Sequence, residues 1–161
     1  MLPLWVPKTE SVAVANTAAA YAAGDVLGGL LTIPCRNPQN DQARGFAESV
    51  QVVDFDATGA ALKLYLFGEQ PASVADNAAF ETGLADADWG KLIAAPIDIA
   101  TYVTYNTNKA KVAEVVFANV INREVMFNTA SGNLYAYLVT AATPTFTAAN
   151  KVQARFRLWL M

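Results

Sequence analysis

Histidine is absent from the 161 residues, and with it goes the commonest general base near neutral pH. Ser-His-Asp and Cys-His mechanisms and most transition-metal sites are excluded at once. Cys35 is the lone cysteine, so no disulfide can form within the chain and no Cys₂His₂ or Cys₄ zinc site can be assembled. That usage is compatible with a reducing compartment. Charge is scarce as well, at 16% of residues against roughly 25% in an average soluble domain. The net charge is −3 and the 11 Lys and Arg residues are scattered. With no basic run to follow a phosphate backbone, nucleic acid is not an expected partner.

Long apolar runs are missing too. Gly, Pro, Asn, Asp and Lys interrupt every apolar stretch before the roughly 20 residues that a spanning helix needs, and no membrane partner is expected. The opening segment, Met1-Leu2-Pro3-Leu4-Trp5-Val6-Pro7-Lys8, lacks the basic region, unbroken apolar core and small-residue cleavage site of a signal peptide. It reads as a mature N-terminal arm over residues 1–20, followed by one domain over 21–161.

What is present is period-2 alternation. Val152, Ala154, Phe156, Leu158 and Leu160 oppose Gln153, Arg155, Arg157 and Trp159, the pattern of a half-buried strand. Ser49 to Asp56 alternates with a slip at Val52-Val53, which predicts a bulge or two-sided burial. After Gly59, Leu62, Leu64 and Leu66 oppose Lys63, Tyr65 and Phe67, and the two segments read as a β-hairpin. Further strands are expected at Val26 to Ile33, Ile97 to Tyr105, Lys111 to Ile121 and Leu134 to Thr140, separated by turn-forming clusters. Seven or eight short strands predict an all-β fold, an antiparallel β-sandwich or jelly roll with an extended N-terminal arm. Ala13 to Ala23 is Ala-rich and has helical propensity, but the Val12/Val14 alternation and Asn16-Thr17 favour an extended arm. Ser73 to Gly90 is a long connection with a helical turn expected near Leu84 to Asp88, and its length marks it as a candidate contact loop.

Candidate chemistry is thin. A two-carboxylate mechanism needs only a pair such as Asp54 and Asp56 or Asp86 and Asp88, whose i, i+2 spacing in a strand puts both groups on one face about 7 Å apart. Exposed acids at turns are the plainer reading. Asp76, Asn77, Glu81, Asp86 and Asp88 offer hard oxygen ligands for calcium, without the central glycine of an EF-hand loop; solubility and capping roles are the plainer explanation, since turns require short polar residues. Gly24, Gly28 and Gly29 are not followed by a phosphate-loop motif, and turn or bulge geometry accounts for them. Tyr65, Phe67, Tyr102, Tyr105, Tyr135, Tyr137 and Trp89 supply aromatic surface for sugar stacking or, more simply, for a core. No catalytic residue and no cofactor is implied. Protein-contact candidates are Leu2, Leu4, Trp5 and Val6 in the arm, Phe80 and Trp89 in the long connection, and Trp159, since an aromatic residue near a terminus has little core of its own to fill.

Several segments carry a family resemblance. Tyr21-Ala22-Ala23-Gly24-Asp25-Val26-Leu27-Gly28-Gly29, Leu64-Tyr65-Leu66-Phe67, Pro71 to Phe80 with Asp76-Asn77-Ala78-Ala79-Phe80, and Leu134-Tyr135-Ala136-Tyr137-Leu138-Val139 followed by Thr143-Pro144-Thr145-Phe146 resemble small virion structural proteins of tailed bacteriophages, among them capsid decoration, or cement, proteins. The resemblance implies a non-catalytic β-sandwich or jelly-roll subunit, often a homotrimer, assembled in the host cytoplasm. Such a subunit lies on the capsid exterior and bridges neighbouring major capsid proteins. A tail or baseplate component is the nearest alternative. A carbohydrate-binding sandwich using Trp89 or Tyr65 is the alternative from another class.

Overall fold

The computed structural model describes residues 5–105, 110–121 and 124–161. Ten strands are described: β1 (Val6–Val14), β2 (Val26–Pro34), β3 (Arg44–Asp54), β4 (Leu62–Phe67), β5 (Ile97–Ile99), β6 (Val103–Tyr105), β7 (Ala110–Val116), β8 (Val125–Asn128), β9 (Asn133–Thr140) and β10 (Val152–Leu160). Three short helices accompany them: α1 (Phe80–Gly83), α2 (Asp86–Trp89) and α3 (Phe117–Ile121). One sheet runs β1-β10-β3-β7-β6 with β8 also on β3, and the other runs β2-β9-β4-β5. All pairings are antiparallel.

This order has a simple generator. The pairs β1·β10, β2·β9, β3·β7 and β4·β5 nest inside one another, as if one long antiparallel ribbon had been rolled up so that successive pairs alternate between two sheets. That is a jelly roll, the β-sandwich the alternation predicts. Inward-facing side chains of both sheets form one core that includes Val14, Leu27, Ile33, Val50, Val52, Leu64, Ile97, Leu134, Phe156 and Leu158.

The rolling corrects the expected hairpin. β3 and β4 lie in different sheets, and the turn between them is a crossover organised by a buried carboxylate. Asp54 accepts hydrogen bonds from the Asp56 amide (2.9 Å), the Thr58 hydroxyl (2.5 Å) and the Gly59 amide (2.8 Å). The slip at Val52-Val53 is two-sided burial. The bulge lies earlier, at Glu48, where the register of β10 on β3 jumps from Arg157↔Ser49 to Leu158↔Ala47. The expected strand at 97–105 is two strands in opposite sheets, β5 and β6. The one at 111–121 ends at Val116, where the buried Phe117 turns the chain into α3.

The N-terminal segment read as an arm is strand β1 from Val6 to Val14, paired residue for residue with β10. Residues 15–23 form no helix; Asn16 ties them down, donating to the Ala148 carbonyl and accepting from the Lys151 amide (3.0 Å). Met1 to Leu4, with Leu2 and Leu4, lie outside the described residues.

The long β4–β5 connection is the chain's third layer. Phe80, Leu84 and Val74 pack on Val26, Phe67, Tyr135, Tyr137 and Val139, burying the far face of the β9 sheet in a second core. The Tyr137 hydroxyl fastens it, donating to the Ala72 carbonyl (2.6 Å) and accepting from the Val74 amide (2.9 Å). Burial on both faces explains why β9 reads as a nearly unbroken apolar run.

Gly28 and Gly29 form a bulge in β2, between Leu27↔Leu138 and Leu31↔Ala136, with φ of +79° and +77°. A Cβ on Gly28 would stand 2.3 Å from Val14 Cγ1 and 2.8 Å from the Ala15 nitrogen, whereas one on Gly29 meets nothing closer than 3.7 Å. Gly28→Ala therefore adds a packing clash of about 1–3 kcal/mol to the left-handed penalty, while Gly29→Ala carries only that penalty, about 1–2 kcal/mol. Urea unfolding of the two variants should rank Gly28→Ala as clearly the less stable; equal losses would contradict this packing.

Candidate functional site

With the β9 sheet covered by its own connection, the outer face of the β1-β10-β3 sheet is the broad sheet face the chain leaves uncovered among the described residues. Its side chains follow from the register. Pro7, Trp159, Phe46 and Met126 are cross-strand neighbours in one row over β1, β10, β3 and β8. The next rows are Thr9-Arg157-Ser49-Val116 and Ser11-Arg155-Gln51-Glu114. The face is thus aromatic and apolar at one end and polar in the middle.

The aromatic end is a built cluster. Phe46 stacks with Trp159 (centroids 6.2 Å apart, planes 19° apart), and Trp5 meets the other flank of Phe46 in a T-shaped contact at 5.4 Å. Trp159 Nε1 donates to Glu48 Oε2 at 3.1 Å, which fixes the indole. The three rings line an open hollow of about 250 Å³. Met126, at the end of the row, is 53% exposed. Aromatic residues of this kind, rigid and partly exposed, are the usual anchors of protein interfaces.

The sequence-derived contact residues divide. Trp5 and Trp159 come together here, whereas Val6, half-buried at the start of β1, is paired with the buried Leu160 and lies on the core-facing side of the strand. Phe80 does not belong: it is 1% exposed and lies at the centre of the second core. Trp89 is half-buried against Phe80 (5.6 Å) and Tyr65 (6.2 Å). Tyr65 itself packs on Phe80 at 4.4 Å, so Tyr65 and Trp89, considered as a sugar platform, hold the third layer in place. Phe46 and Met126 were missed, although Gly45-Phe46-Ala47-Glu48 carries the same alternation that marks the rest of β3.

Of the carboxylates considered for catalysis or calcium, Asp54, Asp56, Asp76 and Asp88 are engaged in local structure. Asp76 binds the Thr17 amide and hydroxyl, the Tyr21 hydroxyl and the Gly28 amide, pinning the third layer to β2. Asp88 is buried and paired with Lys91 at 2.7 Å, which holds its carboxyl below the usual range. Asp54 closes its turn. Among the described residues no three acidic or cysteine side chains converge as metal ligands.

Asp56 clamps the β9–β10 connection by accepting from the Thr147 hydroxyl at 2.5 Å and from the Thr147 amide. These bonds, the hydroxyl's above all, lower its pKa below the ordinary aspartate value. A carboxylate whose pKa is lowered in the folded state stabilises fully above its unfolded pKa of about 3.9 and loses that contribution as pH falls toward the folded value. Asp56→Asn should therefore be less stable than the parent at pH 7, with the gap closing below about pH 4. A gap that persists unchanged to pH 2 in thermal melts would show that the carboxylate charge is not what holds Thr147.

No family model matches the chain, and no curated protein does. Among solved structures it is similar to a chain of the capsid of Ralstonia phage GP4, at 17% identity and a TM-score of 0.42, covering 100% of this chain and 90% of that one. A chain of tomato aspermy virus is 9% identical with a TM-score of 0.39, over 96% and 76% of the two chains. One of infectious bursal disease virus is 11% identical with a TM-score of 0.35, over 96% and 33%. With TM-scores of 0.42 and lower, these likenesses carry none of the functional argument. The jelly-roll assignment rests on the strand pairing itself.

Proposed function

We propose that this chain is a virion structural protein of the capsid-decoration kind, which binds the outside of a phage head and bridges neighbouring major capsid proteins without chemistry or cofactor. The observation that carries the reading is the Pro7-Trp159-Phe46-Met126 row with Trp5 beside it, an aromatic and apolar surface on the broad sheet face left uncovered among the described residues. The family resemblance of the sequence and its low charge support the same role. A jelly roll alone does not, because the same architecture serves lectins and cupins.

A stable contact removes about 1,200–2,000 Å² from water, and a few central aromatic residues carry most of its energy. Repetition around a shell multiplies weak single contacts through avidity. A homotrimer at a threefold position fits this arrangement, and light scattering on the purified chain measures it directly.

The test uses purified heads lacking the protein. Added chain should saturate them and raise their heat resistance, and Phe46→Ala/Trp159→Ala should bind at least about tenfold more weakly, the loss expected of an interface centre. Labelling intact particles separates head from tail. Heads that fail to bind the parent chain, or that bind the double variant as tightly, would overturn the reading.

A further inference from the structure

Next to the aromatic cluster lies a groove with an identifiable structural origin. β7 and β8 occupy the same side of β3, but β7 stops at the Val116↔Ser49 pair and β8 resumes at Val125↔Ala47. The chain leaves the sheet between them, through α3. On the other side of β3, the β10 register skips the same residue. Glu48 is therefore passed over by both neighbouring ladders, at the gap between β7 and β8. The opening is a groove of about 350 Å³ lined by Phe46, Glu48, Val116, Ala118, Glu124 and Trp159, with Ala47 beneath.

The lining has a definite chemistry. Its walls are aromatic and aliphatic, and its two charged groups, Glu48 and Glu124, are both acidic. They flank the Ala47↔Val125 pair, Glu48 from β3 and Glu124 from the residue before β8, so the charge that the groove presents is acidic and complements a cation. Glu48 is itself paired on its polar side with Arg157, whose Nε lies 3.8 Å from Glu48 Oε2. Glu48 is further oriented by the Trp159 indole N–H. An aliphatic stem ending in a planar cation matches this lining: Val116 and Ala118 for the stem, the rings of Phe46 and Trp159 for cation–π contact, and two carboxylates for the guanidinium.

We propose that this groove seats an arginine side chain projecting from the partner protein. The identity of that partner as a capsid subunit rests on the reading above; the arginine specificity rests on the groove alone. Arginine fits better than lysine because the site offers a flat aromatic face and separated carboxylates, which suit a planar fork more than a point charge.

The experiment titrates the full chain with the capped peptide acetyl-Gly-Arg-Gly-amide, its citrulline counterpart, and methyl glucoside as a neutral sugar, following the Trp159 indole N–H by NMR. The arginine peptide should give a saturable shift. Affinity should fall about tenfold or more, about 1.4 kcal/mol, for the citrulline peptide and for the Glu48→Gln/Glu124→Gln variant, whose dispersed spectrum certifies its folding. Equal response to citrulline, no response to arginine, an unchanged affinity in the double variant, or a response to the sugar alone overturns the proposal. Head binding separates the two readings. If the parent chain binds heads and the double variant binds them equally well, the arginine inference fails alone; if the parent does not bind heads while the peptide result holds, the decoration reading fails alone.

Discussion

The placement of β10 between β1 and β3 is the constraint on which the rest depends. β1 joins its sheet through β10, so one strand carries the register that fixes both its neighbours. Its inward side chains, Val152, Ala154, Phe156, Leu158 and Leu160, are all buried, and a slip of one residue would turn them out to water and Trp159 in. The same register therefore sets the core and the outer aromatic row together. Because β1 and β10 are far apart in sequence, this pairing closes a long loop and rewards the chain only once most of the roll is formed.

The two sheets meet the problem of their outer faces differently. The β9 sheet is covered by the chain's own connection, with Tyr137, Asp76 and the Phe80-centred aromatic packing as fastenings. The β10 sheet is left with an outer face whose polar middle rows satisfy water and whose end row does not. Covering one face internally makes the apolar content of the other harder to explain as leftover core. Scattered exposed apolar residues are ordinary, but four consecutive positions of one cross-strand row, with Trp159 and Phe46 stacked at its centre, form a surface with a shape.

Much of the fold was legible because alternation is a direct consequence of one-sided burial. β4 and β10 show it plainly, and both lie close to where the sequence places them. Nesting was not legible: the pairing of β3 with β7 rather than β4 depends on a turn built around Asp54, whose buried role no local pattern reveals. Phe80 and Trp89 misled for a related reason. A long connection normally lies over solvent, and only the two-sided burial of β9, hidden in a run that also suits a central strand, shows what these aromatics cover. For the contact face, Trp159 announced itself by opposing five apolar residues, whereas Phe46 and Met126 gain their meaning only from cross-strand register. Glu48 was beyond reach, since a bulge between two ladders is a property of three strands at once.

The coincidence at Glu48 links the architecture to specificity. A bulge bends and twists its strand and commonly re-aims a side chain next to a functional site. Here the bulge on one side of β3 and the gap between β7 and β8 on the other fall at the same residue. An uninterrupted strand would have closed the groove and continued the flat face. The excursion through α3 also anchors itself inward through Phe117, which is fully buried, so the gap is held open by core packing rather than left as a fray. An aromatic row by itself gives adhesion with little choice of partner. An acidic groove fixed beside it by the same strands adds the charge and directional requirements by which one surface is selected over another.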